Sequence, residues 1–360
     1  MNSPVYVTQP SLAPLEEYIK YLQSIWESGI MTHNGPLVQQ LEKELRKYLG
    51  VKHVVCVSSG TCALQLAIRA LELTGEIITT PFTFIASANI IKWERCNPVF
   101  VDIDSHTWNL DSNMIEEKIT KDTSAILPVH VFSSPCDIQQ INEVALKHGI
   151  KVIYDAAHAM CVNFGGKSIL SYGDISCVSF HATKLFNTAE GGACVTDDDE
   201  LAEKLRQMRF FGFDGRKEIV NIGMNAKMTE VHAGLGLANL KWLDVVKKNR
   251  REKYELYKNF LSHLSFVDLQ RYNAEEYNYS YMPVLFESQE IMTRAVDILA
   301  ANNVFPRRYF YPSLNSVSVF TPQMKLSISE EVANAILCLP LYDSLKNYDI
   351  ERICGYIQSL

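Results

Sequence analysis

The sequence predicts an α/β fold in which a mainly parallel sheet of seven strands is covered by helices on both faces. Between about residues 50 and 200, short apolar runs alternate with helical patterns, as in sheets built from strand–helix units. Polar residues also follow two of these runs, at the sheet edge where such folds bind ligands. The predicted strands are residues 53–57, 76–79, 98–102, 125–131, 152–155, 175–180 and 192–196. The predicted helices are residues 61–73, 85–93, 113–119, 138–148 and 201–211.

The last third of the chain has a different pattern. Two helical stretches, 229–243 and 246–264, lead away from the predicted sheet. Beyond about residue 265, a short strand (280–286) mixes with helices (289–302 and 349–357). We therefore predict a large α/β domain over residues 1–245 and a smaller α+β domain over residues 246–360.

Composition excludes several classes of protein. Of 360 residues, 47% are apolar, which suffices for a core, and the net charge of −7 without a basic block argues against a nucleic-acid partner. No apolar run approaches the roughly 20 residues that span a bilayer, so no membrane partner is predicted. The opening Met1-Asn-Ser-Pro-Val-Tyr6 lacks the features of a secretion signal, which predicts a cytoplasmic protein. The nine cysteines form no CxxC pair, and we expect neither disulfides nor a metal site.

The first segment that is suited to binding a ligand follows the strand at 53–57. Ser58-Ser-Gly-Thr61 forms a small-residue turn, and a helical pattern begins at once. A helix N-terminus presents free N–H groups and the positive end of the helix dipole to an anion. The turn therefore suits a phosphate, although capped turns of this kind are also common without a ligand.

Asp155 ends the predicted strand at 152–155 and permits three interpretations. It could cap a helix, bind a metal, or form the ion pair that keeps a pyridinium nitrogen protonated.

Lys184 lies between two apolar runs that are predicted to be buried strands. A surface lysine on a loop is the commoner interpretation of such a segment alone. However, an ammonium is costly to bury, and a lysine of lowered pKa condenses readily with an aldehyde cofactor. A phosphate turn, an acid and a lysine in this chain order favour the second interpretation.

Nine short motifs occur in order along nearly the whole chain. They are Thr32-His-Asn-Gly35, Ser59-Gly-Thr-Cys-Ala-Leu64, Pro81-Phe-Thr-Phe-Ile-Ala-Ser87, Val101-Asp-Ile-Asp104, Asp155-Ala-Ala-His-Ala159, Ser179-Phe-His-Ala-Thr-Lys184, Glu190-Gly-Gly192, Asn225-Ala-Lys-Met-Thr-Glu230 and Cys338-Leu-Pro-Leu-Tyr342. On these motifs the chain resembles the sugar aminotransferases of the DegT/DnrJ/EryC1/StrS family. The resemblance implies fold type I of the enzymes that use pyridoxal 5′-phosphate (PLP).

The resemblance also implies roles at the cofactor ring. Lys184 would form the Schiff base and carry protons during catalysis, and Asp155 would pair with the pyridinium nitrogen. His158 matches a residue beside the phenolic oxygen, with a packing histidine as the alternative. Phe84 matches the aromatic that stacks on the ring, although most aromatics belong to cores.

For the phosphate, the resemblance implies the Ser59-Gly60-Thr61 turn and the hydroxyl of Ser179. Asn225 matches an asparagine that reaches the phosphate of the partner subunit, which implies a homodimer with shared active sites.

The chain departs from the family pattern at Leu185, where Asn is frequent, and at Lys227, where Arg is usual. The segment Arg307-Arg-Tyr-Phe-Tyr-Pro-Ser-Leu314 resembles a stretch that borders the sugar site. Its two arginines have two interpretations, contact with a diphosphate or exposure on the surface.

From this resemblance we expect PLP-dependent transamination of a nucleotide-linked keto sugar with L-glutamate as donor, for the amino sugars of O-antigen lipopolysaccharide or of a glycosylated metabolite. The expected substrate is dTDP-4-keto-6-deoxyglucose, with amination at C3 of a dTDP-3-keto-6-deoxyhexose as the alternative. A non-catalytic PLP-binding regulator would need a further domain, for which the chain has no room. A dehydratase of the same family would have histidine in place of Lys184. An enzyme that processes cysteine or another amino acid is disfavoured by the motifs at Glu190 and Asn225.

Overall fold

The computed structural model describes residues 3–320 and 324–360. In these residues the helices are α1 (Leu15–Ser28), α2 (Pro36–Leu49), α3 (Gly60–Ala70), α4 (Ala86–Trp93), α5 (Ile138–His148), α6 (Asp199–Met208), α7 (Glu230–Leu240), α8 (Leu243–Leu261), α9 (Gln289–Ala301), α10 (Ser327–Ala335) and α11 (Asn347–Gln358). The strands are β1 (Val5–Tyr6), β2 (His53–Val57), β3 (Glu76–Thr79), β4 (Asn97–Phe100), β5 (Thr123–Leu127), β6 (Lys151–Asp155), β7 (Asn163–Phe164), β8 (Lys167–Ser168), β9 (Ile175–Ser179), β10 (Gly192–Thr196), β11 (Val267–Leu269), β12 (Met282–Phe286), β13 (Val304–Phe305) and β14 (Ile336–Leu339).

The large sheet has seven strands in the order β2-β10-β9-β6-β5-β3-β4. Strands β4, β3, β5, β6 and β9 pair in parallel, whereas β10 is antiparallel to both β9 and β2. Each of the seven predicted strands corresponds to one of these strands, and the prediction of a mainly parallel α/β sheet is confirmed. The carboxyl ends of β2, β6 and β9 consequently lie at one edge, where the candidate site is built.

Side chains of the large sheet alternate between two apolar clusters. In β2, for example, Val54 and Cys56 join the cluster with α2, α5 and α7, whereas Val55 and Val57 join the cluster with α3, α4 and α6. Because a strand directs successive side chains to opposite faces, a sheet covered on both sides consists of continuous apolar runs. Burial on both faces explains why these strands are continuous apolar runs in the sequence.

Two predicted elements were wrong in detail. Residues 113–119 form two short 3₁₀ turns, Ser112–Met114 and Glu116–Lys118, in place of an α-helix. The Asp111 carboxylate accepts from the N–H of Asn113, 3.0 Å away, and this local bond competes with α-helical bonding. The strand predicted over 125–131 ends at Leu127, and another 3₁₀ turn begins at Val131, whose N–H donates to the Asn109 side chain (2.9 Å).

The last third of the chain forms a separate sheet. Strand β12 pairs antiparallel with both β11 and β14, and α8, α9 and α11 contribute to the apolar cluster beside it. Strand β13 pairs in parallel with β1 near the start of the chain. The predicted boundary at residues 245 and 246 falls within α8, and the division into two domains stays a prediction. Across the described ranges, no helix has both the length and the apolar character needed to span a membrane.

Candidate active site

The N-terminus of α3 lies at the carboxyl end of β2 and is open to a ligand. Ser59 caps the helix, and its hydroxyl accepts from the N–H of Cys62 at 3.1 Å. In the part of the chain that the structure describes, no acceptor is present for the N–H groups of Gly60 and Thr61. These free donors and the helix dipole favour an anion at this point.

Two glycines bring the start of α3 against β9 and β10, the two strands on either side of the loop that carries Lys184. A Cβ atom on Gly60 would lie 2.9 Å from the Cβ of Ser179, and one on Gly192 would lie 2.6 Å from the backbone N of Gly60. Larger residues would therefore separate α3 from β9 and β10. The close approach places the hydroxyl of Ser179 beside the free N–H groups of α3.

Asp155 ends β6 as a buried carboxylate. Its Oδ2 accepts from the hydroxyl of Ser87 (2.7 Å), and its Oδ1 accepts from the N–H of Ala157 (3.1 Å). Burial raises the pKa of Asp155, whereas these two donors and the charge of Lys184 act to lower it. The two hydrogen bonds fix the orientation of the carboxylate in the cavity.

His158 lies on the turn after β6 and is neutral. Burial and the positive charge of Lys184 lower its pKa well below the ordinary value. Its Nδ1 is 3.2 Å from the backbone N–H of Phe132, which donates to it, so the ring proton belongs on Nε2. His158 is therefore available as a hydrogen-bond donor through Nε2.

Lys184 lies on the loop between β9 and β10 and is partly buried. Its Nζ is 3.0 Å from the hydroxyl oxygen of Tyr281, which accepts a hydrogen bond from it. Burial lowers the pKa of Lys184 to about 8, although the charges of Asp155 and Tyr309 act in the opposite direction. An amine with this pKa is neutral in a substantial fraction of molecules near pH 8, as a nucleophile or base must be.

One cavity of about 290 Å³ collects most of the predicted site residues. Eight of the nine line it: Ser59, Gly60, Thr61, Phe84, Asp155, His158, Ser179 and Lys184. Phe84 is 55% exposed, so it does not belong to the core and its ring is free to contact a ligand.

Asn225 does not line this cavity. It lies exposed on the segment after α6, where its side-chain oxygen accepts a hydrogen bond from the ammonium of Lys227. That ammonium also lies over the rings of Phe210 and Phe211, at 4.8 and 4.5 Å from their centroids. Within a single chain, the structure therefore leaves Asn225 outside the site.

Two residues that contact the predicted ones had no role in the sequence-based prediction. Ser87 belongs to a quoted motif, yet nothing in the sequence indicated its hydrogen bond to Asp155. Tyr281 directly precedes β12 of the separate C-terminal sheet, 97 positions beyond Lys184 in the chain. No local sequence pattern could have revealed that contact, because it depends on how two distant segments pack.

Comparison with known proteins identifies the family. The DegT/DnrJ/EryC1/StrS aminotransferase family matches residues 14–358. The chain belongs to this family. A curated relative, dTDP-4-amino-4,6-dideoxy-D-glucose transaminase of Shigella dysenteriae, is 40% identical over the full length of both chains. The enzyme of the same name from Escherichia coli is 38% identical over 96% of each chain. The predicted resemblance and the prediction of a sugar aminotransferase are thereby confirmed.

Solved structures give the same fold. The crystal structure of DesI with its TDP-sugar product has a TM-score of 0.94 and 33% identity, and the alignment covers 100% of this chain and 93% of DesI. The structure of NtdA from Bacillus subtilis with bound cofactor PMP has a TM-score of 0.86 and 30% identity, over 96% of this chain and 82% of NtdA. The family and this neighbour imply a PLP cofactor for the present chain.

The residues of the cavity fit such a cofactor. A phosphate requires donors, which the free N–H groups of Gly60 and Thr61 provide. A pyridinium nitrogen requires an acid, which Asp155 provides. An aldehyde carbon requires an uncharged amine, which Lys184 provides in the same cavity.

Proposed function

We propose that this aminotransferase moves the amino group of L-glutamate to C4 of dTDP-4-keto-6-deoxyglucose with the help of PLP. The observation that carries the proposal is the Lys184 amine, whose pKa is about 8, in one cavity with Asp155 and the open N-terminus of α3. The substrate is proposed from the relatives that are named dTDP-4-amino-4,6-dideoxy-D-glucose transaminase. The product would be an amino-deoxy sugar nucleotide for O-antigen lipopolysaccharide.

In this proposal Lys184 and Asp155 serve the reacting centre. Bound PLP supplies an electron sink for the carbon that carries the amine. Lys184 Nζ would take a proton from that carbon and then give it to a carbon of the cofactor, which its lowered pKa permits near neutral pH. Asp155, oriented by Ser87, keeps the pyridine nitrogen protonated.

Other residues of the cavity bind and orient the cofactor. The phosphate is bound by the N–H groups of Gly60 and Thr61, which follow the Ser59 cap. The hydroxyls of Thr61 and Ser179 also bind it. His158 donates from Nε2 to the phenolic oxygen, because its Nδ1 already accepts from Phe132. Phe84 covers one face of the ring, where its exposed side chain is free to stack.

We also propose a homodimer in which Asn225 of one chain reaches the phosphate bound by its partner. This would explain why Asn225 is exposed and lies outside the cavity of its own chain. The cytoplasm, where nucleotide sugars and glutamate are both present, is the proposed location.

The proposal can be tested by following the colour of the purified protein. Glutamate should bleach the visible absorbance of the covalently attached cofactor, and dTDP-4-keto-6-deoxyglucose should restore it. Mass detection of the amino sugar would identify the product. Recovery of the absorbance only with a 3-keto isomer would favour the alternative, amination at C3. Recovery with small 2-keto acids alone would contradict a sugar substrate, and no response to any amino donor would favour a regulator.

A further inference from the structure

Two neighbouring arginines after β13, Arg307 and Arg308, have opposite surroundings. Arg307 lines the cavity that contains Lys184, whereas Arg308 is not among its lining residues. The guanidinium of Arg308 lies 3.5 Å from the centroid of the Tyr311 ring and donates to two backbone carbonyl groups of α10. Nη2 of Arg308 is thus used within the protein, whereas its buried Nε has no partner among the described residues.

Arg307 has free donors on a fixed backbone. Its N–H donates to the carbonyl of Cys338 at 3.1 Å, and its carbonyl accepts from the N–H of Cys338 at 2.8 Å. Its guanidinium lies 5.0 Å from the centroid of the Tyr309 ring. Among residues 3–320 and 324–360, no carboxylate pairs with Arg307 and no oxygen accepts from its guanidinium. The side chain is exposed, and its positive charge has no ion-pair partner in these residues.

Among the described residues that line the cavity, neither acid forms an ion pair with Arg307. Asp155 accepts from Ser87 and Ala157, and Glu190 lies 3.8 Å from His181. An uncompensated guanidinium at such a site favours an oxyanion, which its planar set of donors can bind through two hydrogen bonds. Both proposed substrates carry one, because glutamate has carboxylates and a sugar nucleotide has a diphosphate.

We propose that Arg307 is a specificity-determining residue that binds the oxyanion of a substrate in this cavity, and that Arg308 has no such role. The inference rests on the proposed function. It resolves the two interpretations that the sequence left open for this pair, since one arginine faces the ligand cavity and the other supports α10.

The two half-reactions distinguish the possible oxyanions, because glutamate is the substrate of one and the sugar nucleotide is the substrate of the other. Bleaching by glutamate and recovery with dTDP-4-keto-6-deoxyglucose should be measured at increasing substrate concentrations for wild type, Arg307→Gln, Arg307→Lys and the matched control Arg308→Gln. Arg307→Gln should raise the half-saturating concentration in at least one half-reaction by about 10- to 100-fold, as expected for loss of a charge-assisted hydrogen bond, with a smaller change in the limiting rate. Arg307→Lys should recover part of this loss, and Arg308→Gln should stay within about twofold of wild type.

A second measurement does not depend on turnover. Glutarate and pyrophosphate lack both amine and ketone, and their binding can be followed by the change they cause in the visible absorbance. Arg307→Gln should weaken the binding of the same oxyanion that the kinetics identify, while cofactor content and melting temperature stay at wild-type values.

The outcomes are distinct. An effect limited to glutamate and glutarate identifies a carboxylate, one limited to the sugar nucleotide and pyrophosphate identifies the diphosphate, and an effect on both indicates that Arg307 serves each substrate in turn. The inference would be overturned if Arg307→Gln left the half-saturating concentration unchanged in both half-reactions, or if Arg308→Gln had an equal effect. If wild type itself carries out neither half-reaction, the proposed function fails instead.

Discussion

Two buried aspartates at the same edge of the large sheet, Asp102 and Asp155, differ in what surrounds them. Asp102 follows β4 and Asp155 ends β6, and their exposed fractions are 5% and 6%. Neither burial nor position at the end of a strand therefore distinguishes Asp102 from Asp155, for which a role at the cofactor is proposed. The hydrogen bonds that each carboxylate makes do distinguish them.

Asp102 uses its acceptors on the protein. Its Oδ1 accepts from the N–H groups of Ser329 (2.8 Å) and Ile103 (2.9 Å) and from the Ser329 hydroxyl, and its Oδ2 accepts from the N–H of Ile328 (3.1 Å). Because α10 begins at Ser327, Asp102 satisfies free N–H groups at the start of that helix. It attaches the C-terminal part of the chain to the large sheet.

Asp155 keeps acceptors for a ligand. A carboxylate has about four lone-pair positions, and the structure uses one on each oxygen of Asp155. The residue also lines the cavity with Lys184. We infer that unused acceptors on a buried acid that lines a cavity are a better guide to a ligand-binding role than burial is.

The largest expected effect is the loss of the amine itself. Lys184→Ala should lower the transamination rate by at least about 10³-fold, because no other group in the proposal carries the proton. The fold and non-covalent binding of the cofactor should persist through the contacts at α3. Borohydride trapping on the wild-type protein, followed by peptide mapping, checks the assignment. A label on another lysine would contradict it.

Exchange of each aspartate for asparagine tests the comparison directly. Asp155→Asn should lower turnover by about 10²-fold or more with little change in melting temperature, because the ring nitrogen loses its charged partner. Asp102→Asn should keep turnover within about twofold and lower the free energy of unfolding by about 1–3 kcal/mol, because N–H donors lose an acceptor. Turnover and thermal melts of both variants provide the measurement. Near-normal turnover of Asp155→Asn would make it a structural acid like Asp102.

Subunit mixing extends the comparison to residues outside the cavity. Asn225→Ala and Lys184→Ala should each be inactive alone. If the sites are shared, random exchange of equal amounts should restore about a quarter of wild-type activity, because half of the dimers are mixed and each has one intact site. Exchange can be verified with differently tagged chains. Demonstrated exchange without any return of activity would confine the active site to a single chain.

The smallest expected effect concerns pH. The pKa of Lys184 is about 8 because of burial, so the amine is protonated below that pH and cannot attack the cofactor aldehyde. The rate at which apoprotein and PLP form the coloured complex should therefore rise with pH through about 8, not through the 10.5 of an ordinary lysine. The negative charge of Asp155 raises the pKa of Lys184, so Asp155→Asn should move the midpoint to a lower pH. A midpoint that stays near 10 would show that Lys184 is not buried enough to be tuned.

The sequence by itself determined the large sheet and the order along the chain of the candidate site residues. Strands such as β2 and β3 are buried on both faces, so their residues form apolar runs whose limits were predicted correctly. The Ser59–Thr61 turn, Asp155 and Lys184 each follow a strand, and the parallel arrangement brings strand ends to one edge. The segment at 113–119 was mispredicted because side-chain hydrogen bonds, which leave no periodic pattern, decide its conformation.

Only the tertiary structure decided which polar residues meet. Tyr281 reaches Lys184 from the position before β12, Ser87 orients Asp155, and Arg307 faces the cavity while Arg308 does not. Asp102 and Asp155 look alike in the sequence, since each follows an apolar strand, and they are equally buried in the fold. Their difference lies in contacts with α10 and with the cavity, and contacts between distant segments depend on packing geometry that local sequence does not encode.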